Sequence, residues 1–137
     1  MKTNNYLYSE LTDTILKAFY IVYRSLGYGF LEKVYENAME MELKKIGLKV
    51  KRQAPIKVYY DDQEIGLYYA DLMINDKIII ELKAAEALCE EHEAQLVNYL
   101  KATDIEVGLL LNFGKKPEIK RKVFNAEFKN LKKSSPS

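Results

Sequence analysis

The stretch KIIIELK, residues 77–83, constrains this chain more than any other part of it. Three consecutive isoleucines, Ile78, Ile79 and Ile80, read as a strand buried on both faces. The run passes directly into Glu81-Leu82-Lys83, and Asp71 stands ten residues before Glu81. Charges at the end of a buried strand are expensive to desolvate unless something requires them there.

The segments around this strand set the fold class. Over residues 6–26 the apolar positions Leu7, Leu11, Ile15, Ala18, Phe19, Val22 and Leu26 recur at three and four, one face of a helix stopped by Gly27. A second helical pattern follows Gly29 through Leu31, Val34, Tyr35, Ala38, Met39, Leu43 and Ile46 to Gly47. The period then changes. LKVKRQ and IKVYYDD are strand-like, with Pro55 marking a bulge or an edge, and EIGLYYADLMI is a further strand after the turn at Asp61-Asp62-Gln63. Asn75-Asp76 turns the chain into KIIIELK. Residues 87–102 return to helical spacing, with Leu88, Ala94, Gln95, Val97 and Leu100 as inward candidates. IEVGLLLNF is another buried strand, parallel to the isoleucine strand across the helix, and IKRKVF is a short edge strand. The reading is an α/β sandwich, order ααβββαβ, with a central mixed sheet flanked by helices.

At 137 residues the chain fits one domain, 1–137, with residues 125–137 as a basic, partly disordered tail. One cysteine, Cys89, excludes an intrachain disulfide framework and a four-cysteine metal site. No apolar run reaches the length of a membrane span and the first residues lack a signal-peptide core, so a cytoplasmic protein without membrane association is expected. The net charge of +1 is low for a non-specific nucleic-acid binder, although lysines and Arg121 accumulate after residue 114.

Glu81 and Lys83 leave one face of their strand, and Asp71 lies on its neighbour. Two carboxylates converging at about 2.0–2.6 Å on one point are what a hard cation such as Mg²⁺ requires, and the Leu82 carbonyl offers a further oxygen. A lysine beside them orients water or steadies charge on a phosphate. Register decides whether this is real. A two-residue turn at Asn75-Asp76 pairs Asp71 with Ile80 and sends the carboxylates to opposite faces, whereas a three-residue turn or a bulge sets Asp71 opposite Glu81. The second is expected. The alternative is a plain Glu81–Lys83 ion pair at a strand end.

Asp71, Glu81-Leu82-Lys83 and a helix carrying Gln95 and Tyr99 (QLVNY) together resemble the D…ExK…QxxxY pattern of RecB-like nucleases of the PD-(D/E)XK superfamily. Gly29-Phe30-Leu31-Glu32-Lys33-Val34-Tyr35 is similar to the pattern that names the GxxExxY branch, and the likeness spans residues 11–124. Ala70 stands where the superfamily's proline falls. The resemblance implies a restriction-endonuclease-like core and a divalent cation (Mg²⁺ or Mn²⁺) at Asp71, Glu81 and the Leu82 carbonyl. Lys83 would be the catalytic lysine, and Glu32 would extend the acidic cluster toward the metal or its waters. Gln95 and Tyr99, four apart on one helical face, would meet the substrate. His92, three before Gln95, can approach the metal or a phosphate, or else serve structure. Glu36 competes with Glu32, and the paired tyrosines Tyr59, Tyr60, Tyr68 and Tyr69 either stack on bases or cover a sheet.

The expected function is therefore a metal-dependent phosphodiesterase acting on DNA or RNA, with a homo-oligomer or protein partner helping to clamp the substrate. The alternative is a non-catalytic module that keeps the fold and acidic pocket for binding nucleic acid or protein. Strandedness, endo- or exonuclease action and pathway are not legible in the residues.

Overall fold

The computed structural model describes residues 7–129. The predicted start of the first helix at Tyr6 and most of the basic tail, residues 130–137, lie outside them; residues 126–128 form a short 3₁₀ turn (Ala126–Phe128).

Helix α1 (Ser9–Leu26) forms because Ile15, Ala18, Phe19 and Val22 share one buried face, and Gly27 ends it in the left-handed region at φ 67°. Helix α2 (Glu32–Lys45) carries Glu32 in its first turn and Lys44 and Lys45 in its last, each favourable to the helix dipole. It ends in a Schellman motif: Gly47 takes φ 87°, its N–H bonds the Lys44 carbonyl and the Leu48 N–H bonds that of Leu43. The buried residues of α2 are Tyr35, Glu36, Met39 and Leu43, whereas Leu31, Val34 and Ile46 are exposed despite their apolar spacing.

The five strands run in the order β1-β2-β3-β4-β5. Strand β1 (Val50–Tyr60) is continuous through Pro55, which is tolerated because β1 is an edge. It pairs antiparallel with β2 (Gln63–Ile74) across the two-residue turn Asp61-Asp62, both at positive φ as a type I′ hairpin requires. Strand β3 (Ile78–Lys83) pairs antiparallel with β2 and parallel with β4 (Val107–Phe113); β5 (Pro117–Val123) closes the other edge. The α/β, restriction-endonuclease-like sandwich read from the sequence is the fold observed.

Helices α1 and α2 cover one face of the sheet over Leu72, Ile74, Ile78, Ile80, Leu82, Leu109 and Leu111. Helix α3 (Glu90–Lys101) covers the other over Ala54, Ile56, Ala70, Ile79 and Leu110. This helix starts three residues later than expected, because His92 Nδ1 accepts the Cys89 N–H and so caps the first turn. Its inward face also differs. Leu96, Tyr99 and Leu100 are buried, while Ala94 is exposed and Val97 only half-buried. Gly108 makes room for that face, since a Cβ there would lie 2.6 Å from Leu96 Cδ1.

The two faces of the sheet exchange at one place. On β1, Val50 packs toward α1 and α2 but Ala54 and Ile56 toward α3; on β2, Ile74 and Leu72 face α1 and α2 but Ala70 faces α3. The exchange falls at Gln53 and Asp71, where the pairing between Arg52↔Leu72 and Ala54↔Ala70 skips a rung. Gln53 there takes φ 49°, strained for a residue other than glycine, and its amide donates to Glu36 at 3.0 Å. Among the described residues no helix is long and apolar enough to cross a membrane.

Candidate active site

The turn between β2 and β3 has three residues. Ile74 pairs with Ile78, and Asn75 and Asp76 both adopt φ above 50°. Asn75 and Asp residues accept that conformation because their short polar side chains bond locally. Here Asn75 Oδ1 accepts the Lys49 N–H at 2.8 Å and the Asn75 N–H reaches the Lys49 carbonyl at 2.9 Å, so the turn is tied to the chain entering β1. The pairs Ile74↔Ile78, Met73↔Ile79 and Leu72↔Ile80 put Asp71 next in line with Glu81. The expected odd-numbered loop is present.

At that level β2 and β3 stop exchanging backbone bonds and exchange side chains instead. The Asp71 N–H donates to Glu81 Oε2 at 2.8 Å, and the Leu82 N–H donates to Asp71 Oδ2 at 2.8 Å. Glu81 is 5% exposed. Burial first, then the charge of Asp71, pushes its carboxyl up to about 8. The Asp71 carboxyl is also raised, by burial and then by the charges of Glu36 and Glu32. Lys83, half-buried and on the same strand face as Glu81, pulls both carboxyls the other way.

Because Asp71 sits where the faces of the sheet exchange, both helical layers reach it. From α2, Glu32 stands exposed in the first turn and acts on both carboxylates through its charge. Glu36 is buried and held by Arg52 Nε at 3.1 Å as well as by Gln53, while Arg52 Nη1 also reaches Glu40 at 3.1 Å. The brace Glu36–Arg52–Gln53 was missed in the sequence, where Gln53 looks like an ordinary strand residue. From α3, Gln95 Nε2 donates to Tyr99 Oη at 2.8 Å. Burial and then the negative charge of Glu81 raise the Tyr99 phenol to about 12, so it stays protonated and able to donate a hydrogen bond. His92 lies one turn earlier, engaged in the cap of α3.

A second unforeseen residue fixes the chain after Lys83. Asn112, fully buried and paired with Lys83 in the parallel register, accepts the Ala85 N–H at 2.9 Å and donates to the Ala85 carbonyl at 3.0 Å and Glu118 at 2.9 Å. Gly114 is required beside it, since a Cβ would come within 2.7 Å of the Ala85 carbonyl oxygen. The only signal in the sequence is one amide inside the apolar run GLLLNF.

Among the described residues no group of three or more His, Cys, Asp or Glu side chains stands ready to hold a metal ion. Asp71 and Glu81 bring hard carboxyl oxygens together, and burial raises both carboxyls, that of Glu81 further through the charge of Asp71. Hard oxygens of this kind are what a divalent cation suits, because its charge would offset the repulsion between two buried carboxylates.

The sheet is mixed, five-stranded and set between helical layers, with Asp71, Glu81 and Lys83 gathered where the pairing of β2 with β3 ends. The chain belongs to the PD-(D/E)XK nuclease superfamily, whose family model matches residues 9–122. Nucleases of this superfamily generally use divalent metal ions and act on nucleic acid. Among solved structures, the one described as "Crystal structure of SSO0001" is similar in fold, with a TM-score of 0.53 at 20% identity over 66% of this chain. The match covers 50% of that chain, so the present sequence spans about half its length. No curated protein matches.

Proposed function

We propose that this protein is a metal-dependent phosphodiesterase that hydrolyses a nucleic-acid backbone. The carrying observation is the crossed pair, Asp71 and Glu81, each giving one oxygen to the other strand's backbone N–H; the second oxygen of each would serve a ligand. Asp71, Glu81 and the Leu82 carbonyl would hold Mg²⁺ or Mn²⁺, with Glu32 acting on its waters. In an extended strand N–H and C=O leave the same edge, so the Leu82 carbonyl opens on the gap that its N–H shares with Asp71. The chemistry such a cation supplies when bound is polarisation of the phosphodiester and a lowered water pKa. Lys83 steadies negative charge developing on the phosphate, Tyr99 donates a hydrogen bond to a phosphate oxygen, and Gln95 orients Tyr99 through their hydrogen bond.

Within the superfamily the reading extends to the GxxExxY branch. Its support is that the motif residues act together. Tyr35 Oη donates to the Gly27 carbonyl at 2.6 Å and accepts the Phe30 N–H at 3.2 Å, pinning the loop that presents Glu32. Exposed Tyr28, Phe30 and Leu31 flank Glu32 and favour a partner or second copy that clamps the substrate. A binding module without turnover is the second reading, favoured by a direct acidic set of only two among the described residues.

Cleavage of labelled single- and double-stranded DNA and RNA with Mg²⁺ or Mn²⁺ decides between them. Activity lost with chelator, and reduced at least about 100-fold in Glu81→Gln and in Lys83→Met, is the expected result. Binding of the same oligonucleotides with no cleavage under any of these conditions selects the module.

A further inference from the structure

Strand β2 pairs with β3 only from Leu72 to the turn, so the rest of the β1–β2 hairpin extends past the sheet as a two-stranded arm. Between that arm and α3 lies an open groove of about 450 Å³, within the roughly 300–1,000 Å³ of sites that take small ligands. Val58 and Tyr68 form its arm side; Ala94, Gln95, Asn98 and Tyr99 form its helix side. Tyr68 is half-exposed, and its ring centroid stands 5.8 Å from that of Tyr99. The groove therefore shares Tyr99 and Gln95 with the acid pair, whose charges Tyr99 feels.

The walls say what fits. The described residues lining the groove include no lysine, arginine or histidine, and Glu91 adds a carboxylate to them. A phosphate is repelled there. A flat, uncharged ring is not. Apolar Val58 and Ala94 and the tyrosine face take its π-surface, while the Asn98 and Gln95 amides offer donors and acceptors to its edge. A base inside a duplex is paired and stacked on both sides and would have to be flipped out to enter.

We infer that this groove is a nucleobase subsite, seating an unpaired base beside a phosphate that a cation at Asp71 and Glu81 would hold, which makes the substrate a single strand or an unpaired end. The assignment rests on the nuclease reading and names its substrate class. The base stacks on Tyr68 as bases do on aromatic platforms in single-strand-binding proteins.

The test uses oligonucleotides carrying the fluorescent base 2-aminopurine, titrated with Ca²⁺ in place of Mg²⁺ or Mn²⁺ and checked to be uncleaved afterwards. Stacking is expected to quench the emission of the single strand on binding and to leave a blunt duplex unquenched. Tyr68→Ala should weaken single-strand binding roughly tenfold or more and abolish the quench, while Tyr68→Phe retains both. Ala94→Leu fills the groove from an exposed helix position and should mimic Tyr68→Ala without removing the ring. Single-strand binding unchanged in both Tyr68→Ala and Ala94→Leu would overturn the assignment and leave the groove to a peptide or small molecule. A parallel cleavage assay separates the two readings. Glu81-dependent cleavage without Tyr68-dependent quenching sinks the subsite alone, whereas quenching without cleavage sinks the nuclease alone.

Discussion

At the scale of single residues, burial raises the Asp71 and Glu81 carboxyls, and the charge of Asp71 raises Glu81 further. The Glu81 carboxyl lies at about 8 in the folded protein against its ordinary 4.5, so the folded chain keeps a proton that the unfolded chain releases. The stability of the metal-free protein should be fully present below about pH 4.5 as far as this group is concerned, and fall as pH rises toward 8 by on the order of a few kcal/mol. Glu81→Gln keeps an oxygen for the Asp71 N–H and removes the titration. Chemical denaturation at several pH values in chelator should show the wild-type slope and its flattening in the variant; a variant as steep as wild type would refute the assignment of that proton to Glu81. Asn112 carries a different kind of weight. Asn112→Ala strips the Ala85 N–H and C=O of their buried partner and should destabilise the protein by about 2–4 kcal/mol, read by the same denaturation curves.

At the scale of elements, one turn decides whether there is a site. The side-chain period of a strand is two, so a one-residue change in the β2–β3 loop moves Asp71 from opposite Glu81 to opposite Ile80. Replacing Asn75, Asp76 and Lys77 with a two-residue type I′ turn should abolish metal-dependent cleavage. Hydrogen exchange should show β2 loosened and α3 over β4 retained; a shortened turn that leaves cleavage intact would mean that β2 bulges to restore the register. The same element shows where pattern reading fell short. Apolar spacing turns Ala94 inward, yet it is exposed, because a helix half-covered by a hairpin arm presents a groove rather than a clean apolar stripe. The later start of α3 depends on His92 reaching back to Cys89, a cap outside the usual residue set.

At the scale of the whole molecule, the proposed metal would be linked to the fold. A cation that binds the folded acid pair and not the unfolded chain raises Tm by mass action. Because protons compete for the same oxygens, Mn²⁺ or Mg²⁺ should raise Tm by several °C at pH 8 and clearly less at pH 6, and not at all in Glu81→Gln. Equal shifts at both pH values in a thermal melt would place the binding elsewhere. What the sequence determined by itself was the set of elements, their order, the parallel pairing across the crossover helix and the identity of Asp71, Glu81 and Lys83 as charges out of place, because apolar period and local turn chemistry are written in neighbouring residues. What only the tertiary structure decided was convergence. The left-handed backbone at Asn75 and Asp76 chose one of two registers, strain at Gln53 turned the sheet inside out at Asp71, and Glu36, Asn112 and the Tyr68 groove took their places from partners 16 to 31 residues away in sequence. Such contacts depend on backbone angles and long-range packing that no local pattern encodes.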